Sequence, residues 1–225
     1  MADTSNTLNS APIFAGVSDR TLSDLALASR VQTLKKGEIL FCQTDPADTV
    51  YVVRRGCISI FLATPEGREL VINEMHPGDC FGELSLITDQ PRSTGALARE
   101  SSDVISIPRD VFLKGLEAEP ELMRRVLETT ALRLRVSSER ESALAFLDSA
   151  ARIAIVLLQL DEQAGNDGVI NVTQEDLAQY VGLARQTVAQ ALSQWRQVGW
   201  VETGRAKIKV KDREALERLA TAIGE

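Results

Sequence analysis

Between Gly82 and Ala96 the chain reads G-E-L-S-L-I-T-D-Q-P-R-S-T-G-A. This stretch gathers a glycine, a carboxylate and a guanidinium around one short helical turn. Gly82 lets backbone approach a ligand closely. The N–H groups that open the turn favour negative charge. Arg92 can grip a phosphate through two parallel bonds, where a lysine offers only a point charge. Glu83 cannot bind a phosphate, but it can accept hydrogen bonds from a sugar hydroxyl. Together the set suits a small ligand that carries both a phosphate and a ribose. A plainer reading, with Arg92 in a surface ion pair and Gly82 in a turn, fits each residue singly but not the ordered set.

A second constellation occupies Gln174 to Ser193, Q-E-D-L-A-Q-Y-V-G-L-A-R-Q-T-V-A-Q-A-L-S. It reads as a helix-turn-helix. Thr173 caps the first helix, with Asp176 completing a capping box, and Gly182 takes the turn. Leu177, Val181, Leu183, Val188 and Leu192 face a core, and Ala178 is small where two helices cross. The second helix then turns Arg185, Gln186, Gln190 and Thr187 outward from its N-terminal half, the part that reaches base edges in the major groove. Arginine suits guanine and glutamine suits adenine, because each can pair bidentately there. Thr173 and Gln174 are candidate DNA-backbone contacts. A wing follows, V-E-T-G-R-A-K-I-K-V from Val201, whose Gly204 turn is expected to set Arg205 and Lys207 near phosphates. Two helices and a glycine can also be mere packing, but charge favours the DNA reading. From Arg185 to Lys211 six basic residues face one acid, Glu202, on a chain whose net charge is −7.

These groups need positioning elements. Residues 12–30 carry helical spacing at Leu22, Leu25 and Leu27, with Ser18 a candidate N-cap. From Val31 to Ile107, short apolar runs such as Val50-Tyr-Val-Val and Ile58-Ser-Ile-Phe alternate with turns at Gly37, Asp45-Pro46, Gly56, Gly67 and Pro77-Gly78. That texture predicts a small all-β sandwich, barrel or roll. A long helix is expected from about Glu119 to Leu147, roughly 40 Å at 1.5 Å per residue. Its stripe of Met123, Leu127, Thr130, Leu134, Ser137, Glu141 and Leu144 is a coiled-coil seam. Its simplest partner is a second copy of itself in a two-fold dimer, the alternative being an amphipathic helix within one chain. Asp148-Ser149 reads as a hinge. Beyond it lie a buried helix (Ile153 to Leu160), a Gly-Asn-Asp-Gly turn, two short helices and a hairpin.

The chain's 225 residues allow one large or two ordinary domains. No apolar run reaches transmembrane length, so no membrane partner is expected. The N-terminus lacks a signal peptide's basic and apolar regions and reads as a short disordered leader; the expected location is cytosolic. Cys42, Cys57 and Cys80 are scattered and are expected to be small core residues. No N-terminal cysteine cluster favours an iron–sulfur sensor. The lone His76, four residues before Cys80, reads as a turn residue rather than a haem ligand. No metal is expected, and no nucleophile motif or paired carboxylates point to an enzyme.

The order of β-roll, F-G-E-L-S-L…R-S cassette, long helix, A-F-L-D hinge and winged helix resembles the cyclic-AMP receptor branch of the CRP/FNR transcription regulators, from about Phe14 to Val210. The resemblance implies an α+β fold: a jelly-roll-like cyclic-nucleotide-binding β-roll (residues 1–118), a dimerisation helix with hinge (119–148) and a winged helix-turn-helix (149–225). It implies that Gly82, Glu83 and Leu84 line ribose and phosphate, that Arg92 and Ser93 hold the phosphate, and that Arg133 pairs with Glu83. R-L-R-V-S-S-E resembles the family segment whose hydroxyls touch adenine, here Ser137 and Ser138. Ser93 fits cyclic AMP better than cyclic GMP, with Thr94 following it. The implied partners are double-stranded DNA, a second copy of the chain and RNA polymerase. The family's usual Arg-Glu…Arg appears here as Arg185-Gln186…Gln190, which implies an altered operator. Two rival readings are a same-fold regulator with another effector or none, and a regulatory module whose winged helix contacts protein.

Overall fold

The computed structural model describes residues 2–64, 69–165 and 167–221. The chain forms two compact units, Met1–Ala63 with Ile72–Leu134, and Thr64–Val71 with Arg135–Glu225.

The first unit begins with helices α1 (Ala2–Ser10) and α2 (Asp19–Ala28). The expectation of a disordered leader is therefore corrected. α1 has few strong helix formers, but Leu8 is fully buried against the α2 layer and anchors it. Ser18 caps α2, accepting from the Thr21 N–H. Leu22 and Leu25 are buried as expected, whereas Leu27 is 71% exposed because it falls off the buried face.

The strands are β1 (Arg30–Leu34), β2 (Ile39–Phe41), β3 (Thr49–Arg55), β4 (Ile58–Ala63), β5 (Glu69–Met75), β6 (Cys80–Phe81), β7 (Gly95–Ala98) and β8 (Ser102–Pro108). They form two four-stranded sheets, ordered β1-β8-β3-β6 and β2-β7-β4-β5. Gly67, one of the expected turns, lies outside the described residues. The unbroken apolar run of β3 has a simple cause in the period of two. Val50 and Val52 point into the layer covered by helices, while Tyr51 and Val53 point between the sheets. β8 does the same, with Ile105 and Ile107 on the helical side and Val104 on the other.

Three more helices follow: α3 (Glu83–Thr88), α4 (Arg109–Ala118) and α5 (Pro120–Phe146), the last belonging to the first unit as far as Leu134 and to the second from Arg135 on. α4 was not anticipated; it buries Phe112 and Leu116. On α5, Leu122 and Val126 are buried, and helical spacing carries the same face on to Arg133. The seam face is open: Met123, Leu127 and Leu134 are exposed, Leu127 and Leu134 by about two thirds. The side chain of Leu144 lies outside the described residues.

In the second unit, Asp148 caps α6 (Ser149–Gln163), accepting from the Ala151 N–H at 2.7 Å. There follow β9 (Val169–Ile170), α7 (Gln174–Val181), α8 (Arg185–Gln197), the hairpin of β10 (Val201–Gly204) and β11 (Lys207–Val210), and α9 (Arg213–Thr221). Asn166 of the expected turn before β9 lies outside the described residues. α9 was also not anticipated; Ala215 and Leu216 join the core around Leu177, Val188 and Trp195. Buried Asp161 ties the ends of this unit together, accepting from the Gly168 N–H at 2.8 Å and from Arg213.

Two further expectations are corrected. Of the cysteines only Cys80 is buried; Cys42 is exposed and Cys57 half-buried, since each lies at a strand end rather than on an inward position. The hairpin does not turn at Gly204, which pairs with Lys207; its tip is Arg205 and Ala206, the latter at φ 53°. Among the described residues, no helix is long and apolar enough to cross a membrane.

Candidate functional site

The cassette is built where β6 runs into α3. Gly82 stands at the N-cap of α3 with φ 82°, a left-handed conformation that suits glycine. A Cβ there would lie 2.7 Å from Arg92 Nη1, so the position excludes side chains for space as well. Arg92 reaches back across the turn, 3% exposed. Its Nη1 donates to the Gly82 carbonyl at 2.8 Å and its Nη2 to the Thr49 carbonyl at 2.5 Å. The guanidinium lies over aromatic faces, 4.4 Å from the Phe41 centroid and 5.5 Å from that of Tyr51. This geometry removes the plain surface ion-pair reading of Arg92.

Glu83 is 2% exposed. Its Oε1 accepts from Arg133 Nη1 at 2.6 Å, and Arg133 Nη2 donates to the Cys80 carbonyl at 2.5 Å. The face of α5 that buries Leu122 and Val126 therefore ends in a fork that straps the cassette. Burial raises the Glu83 pKa above its ordinary value, and Arg133 opposes the rise. Burial lowers that of Arg92, opposed by Tyr51 and Asp48. Burial also pushes up the Tyr51 phenol, against Arg92, and holds the Cys80 thiol well above the usual range.

Glu83 Oε2 and Arg92 Nε are buried without a hydrogen-bond partner. A leftover acceptor and a leftover donor in one cassette are what a sugar hydroxyl and a phosphate oxygen would satisfy. The residues present thus fit a sugar phosphate. Leu84 and Ser93 are exposed and Thr94 is half-buried. Ser137 and Ser138, also exposed, follow Arg133 on α5 by about one turn. Phe41 and Tyr51, whose rings lie under the guanidinium, and Phe81, stacked on Tyr51, were missed from sequence. Their only signal was aromatic content in strands, which reads as core.

The second site is the α7–α8 pair. Both halves of the Thr173–Asp176 capping box form, and Gly182 closes α7 at φ 71°. Arg152, not singled out from sequence, donates to the Val181 carbonyl at 2.8 Å and holds the turn from α6. Arg185, Gln186 and Gln190 are exposed on the first two turns of α8; Thr187 is half-buried, as are Thr173 and Gln174. Arg185 lies 3.7 Å from Glu175 and Lys211 3.1 Å from Glu202, both exposed pairs that water weakens. Arg205, at the hairpin tip, and Lys207, the first residue of β11, are exposed. The surface can meet an anion along one edge of the helix pair.

Comparison with known proteins agrees with this geometry. Residues 31–119 match the cyclic nucleotide-binding domain family and residues 151–219 the Crp-like helix-turn-helix domain. A CRP-like cAMP-activated global transcriptional regulator of Mycobacterium tuberculosis is 32% identical over 216 residues, covering 93% of this chain and 96% of that one. The cyclic AMP receptor protein of Thermus thermophilus is 28% identical over 214 residues, covering 95% and 98%. The structure of FixK2 from Bradyrhizobium japonicum superposes with a TM-score of 0.73 at 25% identity, covering 87% of this chain and 99% of the other.

Proposed function

The chain belongs to the CRP/FNR family of transcription regulators, joins a cyclic nucleotide-binding domain to a Crp-like helix-turn-helix domain and is not an enzyme, and we propose that it is a homodimer switched by cyclic AMP. The observation that supports this best is the Arg133 fork, which joins the buried Glu83 and the Cys80 carbonyl to the helix that also bears Ser137 and Ser138. In this reading Gly82, Glu83 and Leu84 line the ribose and phosphate. Arg92 and Ser93, with Thr94 beside them, hold the phosphate. To do so Arg92 exchanges the Gly82 and Thr49 carbonyls for phosphate oxygens. Ser137, together with Ser138 of the partner subunit, meets the adenine.

Exposed Met123, Leu127 and Leu134 give α5 an apolar face for a second copy. A ligand held by contacts present in only one helix packing shifts the equilibrium toward that packing. Moving it from 1:99 to 99:1 takes about 5.5 kcal/mol of differential affinity. Charge-assisted bonds of about 1.5–3 kcal/mol each, in two sites, are of that order. The domains at 1–118, 119–148 and 149–225 divide the work into sensing, coupling and DNA binding. Arg185, Gln186, Thr187 and Gln190 face bases, and Thr173, Gln174, Arg205 and Lys207 face phosphates. RNA polymerase is the partner such a regulator would address from its operator.

The test is calorimetry with cyclic AMP and cyclic GMP, paired with selection of random duplexes with and without nucleotide. Cyclic AMP should bind more tightly than cyclic GMP, and Arg92→Leu should weaken it at least about tenfold, one charge-assisted bond's worth. Selection should enrich two-fold sites only with nucleotide present. No heat at millimolar cyclic AMP, or equal enrichment without it, sinks the reading.

A further inference from the structure

Apart from the cassette, three side chains able to ligate a metal converge on one edge of the roll. Cys57 immediately precedes β4, Glu74 lies in β5, and His76 follows it. One ligand atom from each, a sulfur, a carboxylate oxygen and an imidazole nitrogen, lies within 4.8 Å of the other two. Sequence gave no hint of this, because Cys57 is far from the other two along the chain. The sheet order that makes β4 and β5 neighbours brings them together.

We propose that Cys57, Glu74 and His76 bind a borderline-soft divalent cation of the Zn2+ class, with a fourth position left to water. A thiolate and an imidazole favour Zn2+ and its neighbours over Mg2+ or Ca2+, which prefer oxygen. Thiolate and carboxylate together would neutralise the ion. Arg99, whose Nε stands 3.3 Å from Glu74 Oε1, can orient that carboxylate from outside. The half-buried Cys57 and Glu74 give the site a partly dry floor, and exposed His76 gives it an entry.

A redox role for the thiol is the competing idea. Burial first, then Glu74 and Glu100, push the Cys57 thiol up to about 12. Without a metal it is protonated and a poor nucleophile near neutrality. A bound cation reverses this, since a coordinated thiol loses its proton.

The position also couples to the cassette. The His76 N–H donates to Asp79 Oδ2 at 2.7 Å, and the Asp79 N–H returns to the His76 carbonyl at 2.9 Å. The next residue, Cys80, presents the carbonyl that receives Arg133. A cation on His76 thus braces the turn leading into the nucleotide site.

The experiment is Co2+ titration of the nucleotide-free full-length protein, read as thiolate-to-metal charge-transfer absorption, with Zn2+ as competitor. The expected result is a single saturable step that Zn2+ reverses. Cys57→Ser should abolish the band, while Cys42→Ser, which alters the exposed thiol, should keep it. His76→Gln, an exposed change that leaves the core untouched, should weaken binding at least about tenfold. A band that survives in Cys57→Ser, disappears in Cys42→Ser, or titrates unchanged in His76→Gln overturns the proposal, as does no band at all.

Discussion

Arg133 and Glu83 form a lopsided ion pair: the carboxylate is nearly dry, while the guanidinium keeps about a quarter of its surface in water. Removing Arg133 strands a buried carboxylate whose second oxygen, Oε2, already lacks a hydrogen-bond partner. Arg133→Leu should therefore cost about 3 kcal/mol, the low end for a broken buried pair, in chemical denaturation at neutral pH. Protonation offers the stranded group an escape, and that gives a signed pH prediction. Burial raises the folded-state pKa of Glu83 above its unfolded value, so the folded protein holds this proton more tightly. The contribution of Glu83 to stability is then greatest when protonated, and falls as pH rises from the ordinary glutamate range through the raised folded value. The stability difference between wild type and Glu83→Gln, followed across that window, should decline with rising pH; a difference that is flat or rises refutes the assignment. At this scale the site was largely legible. A glycine, a carboxylate and a guanidinium in such close order, at Gly82, Glu83 and Arg92, stand out from ordinary strand and turn sequence. Tyr51 and Phe41 were not legible, since an aromatic residue in a strand gives the same pattern whether it fills a core or floors an arginine.

Elements were read well where local chemistry specifies them and poorly where tertiary contact does. The start of α7 is local. Thr173 and Asp176 satisfy each other's backbone N–H groups, and the S/T-x-x-D/E spacing announces this. Thr173→Ala should accordingly destabilise the winged-helix half by about 1 kcal/mol, visible as a lowered thermal midpoint for that transition. Thr173→Ser should restore most of it; equal losses in both variants would mean that the cap contributes through packing instead. α1 and α9 show the opposite case. Each is held by one or two buried side chains, Leu8 in α1, and Ala215 and Leu216 in α9. Such sparse apolar spacing does not stand out from a loop. The hairpin tip was misplaced for a related reason. Gly204 has the turn-forming residue type, but strand register with Lys207 leaves the left-handed position to Ala206.

For the whole molecule the question is how a chain of net charge −7 binds a polyanion. Long-range repulsion opposes approach, so affinity must come from a few basic groups set close to phosphates. Arg205 at the hairpin tip is the cleanest such group, exposed in the connection between β10 and β11. Each phosphate contact contributes about 0.9 to the slope of log affinity against log salt. A single hairpin on DNA predicts that Arg205→Ala flattens the slope by about 0.9, whereas a two-fold dimer loses two contacts and flattens by about 1.8. Fluorescence anisotropy across a salt series, with cyclic AMP saturating, distinguishes these outcomes on one operator. Leu134→Glu on the exposed seam supplies the control. If the dimer is the DNA-binding species, it should return the Arg205→Ala effect toward the single-hairpin value, because each monomer then carries one wing to the DNA. An unchanged slope in Arg205→Ala would remove the hairpin from the DNA surface and leave α8 to hold the duplex alone.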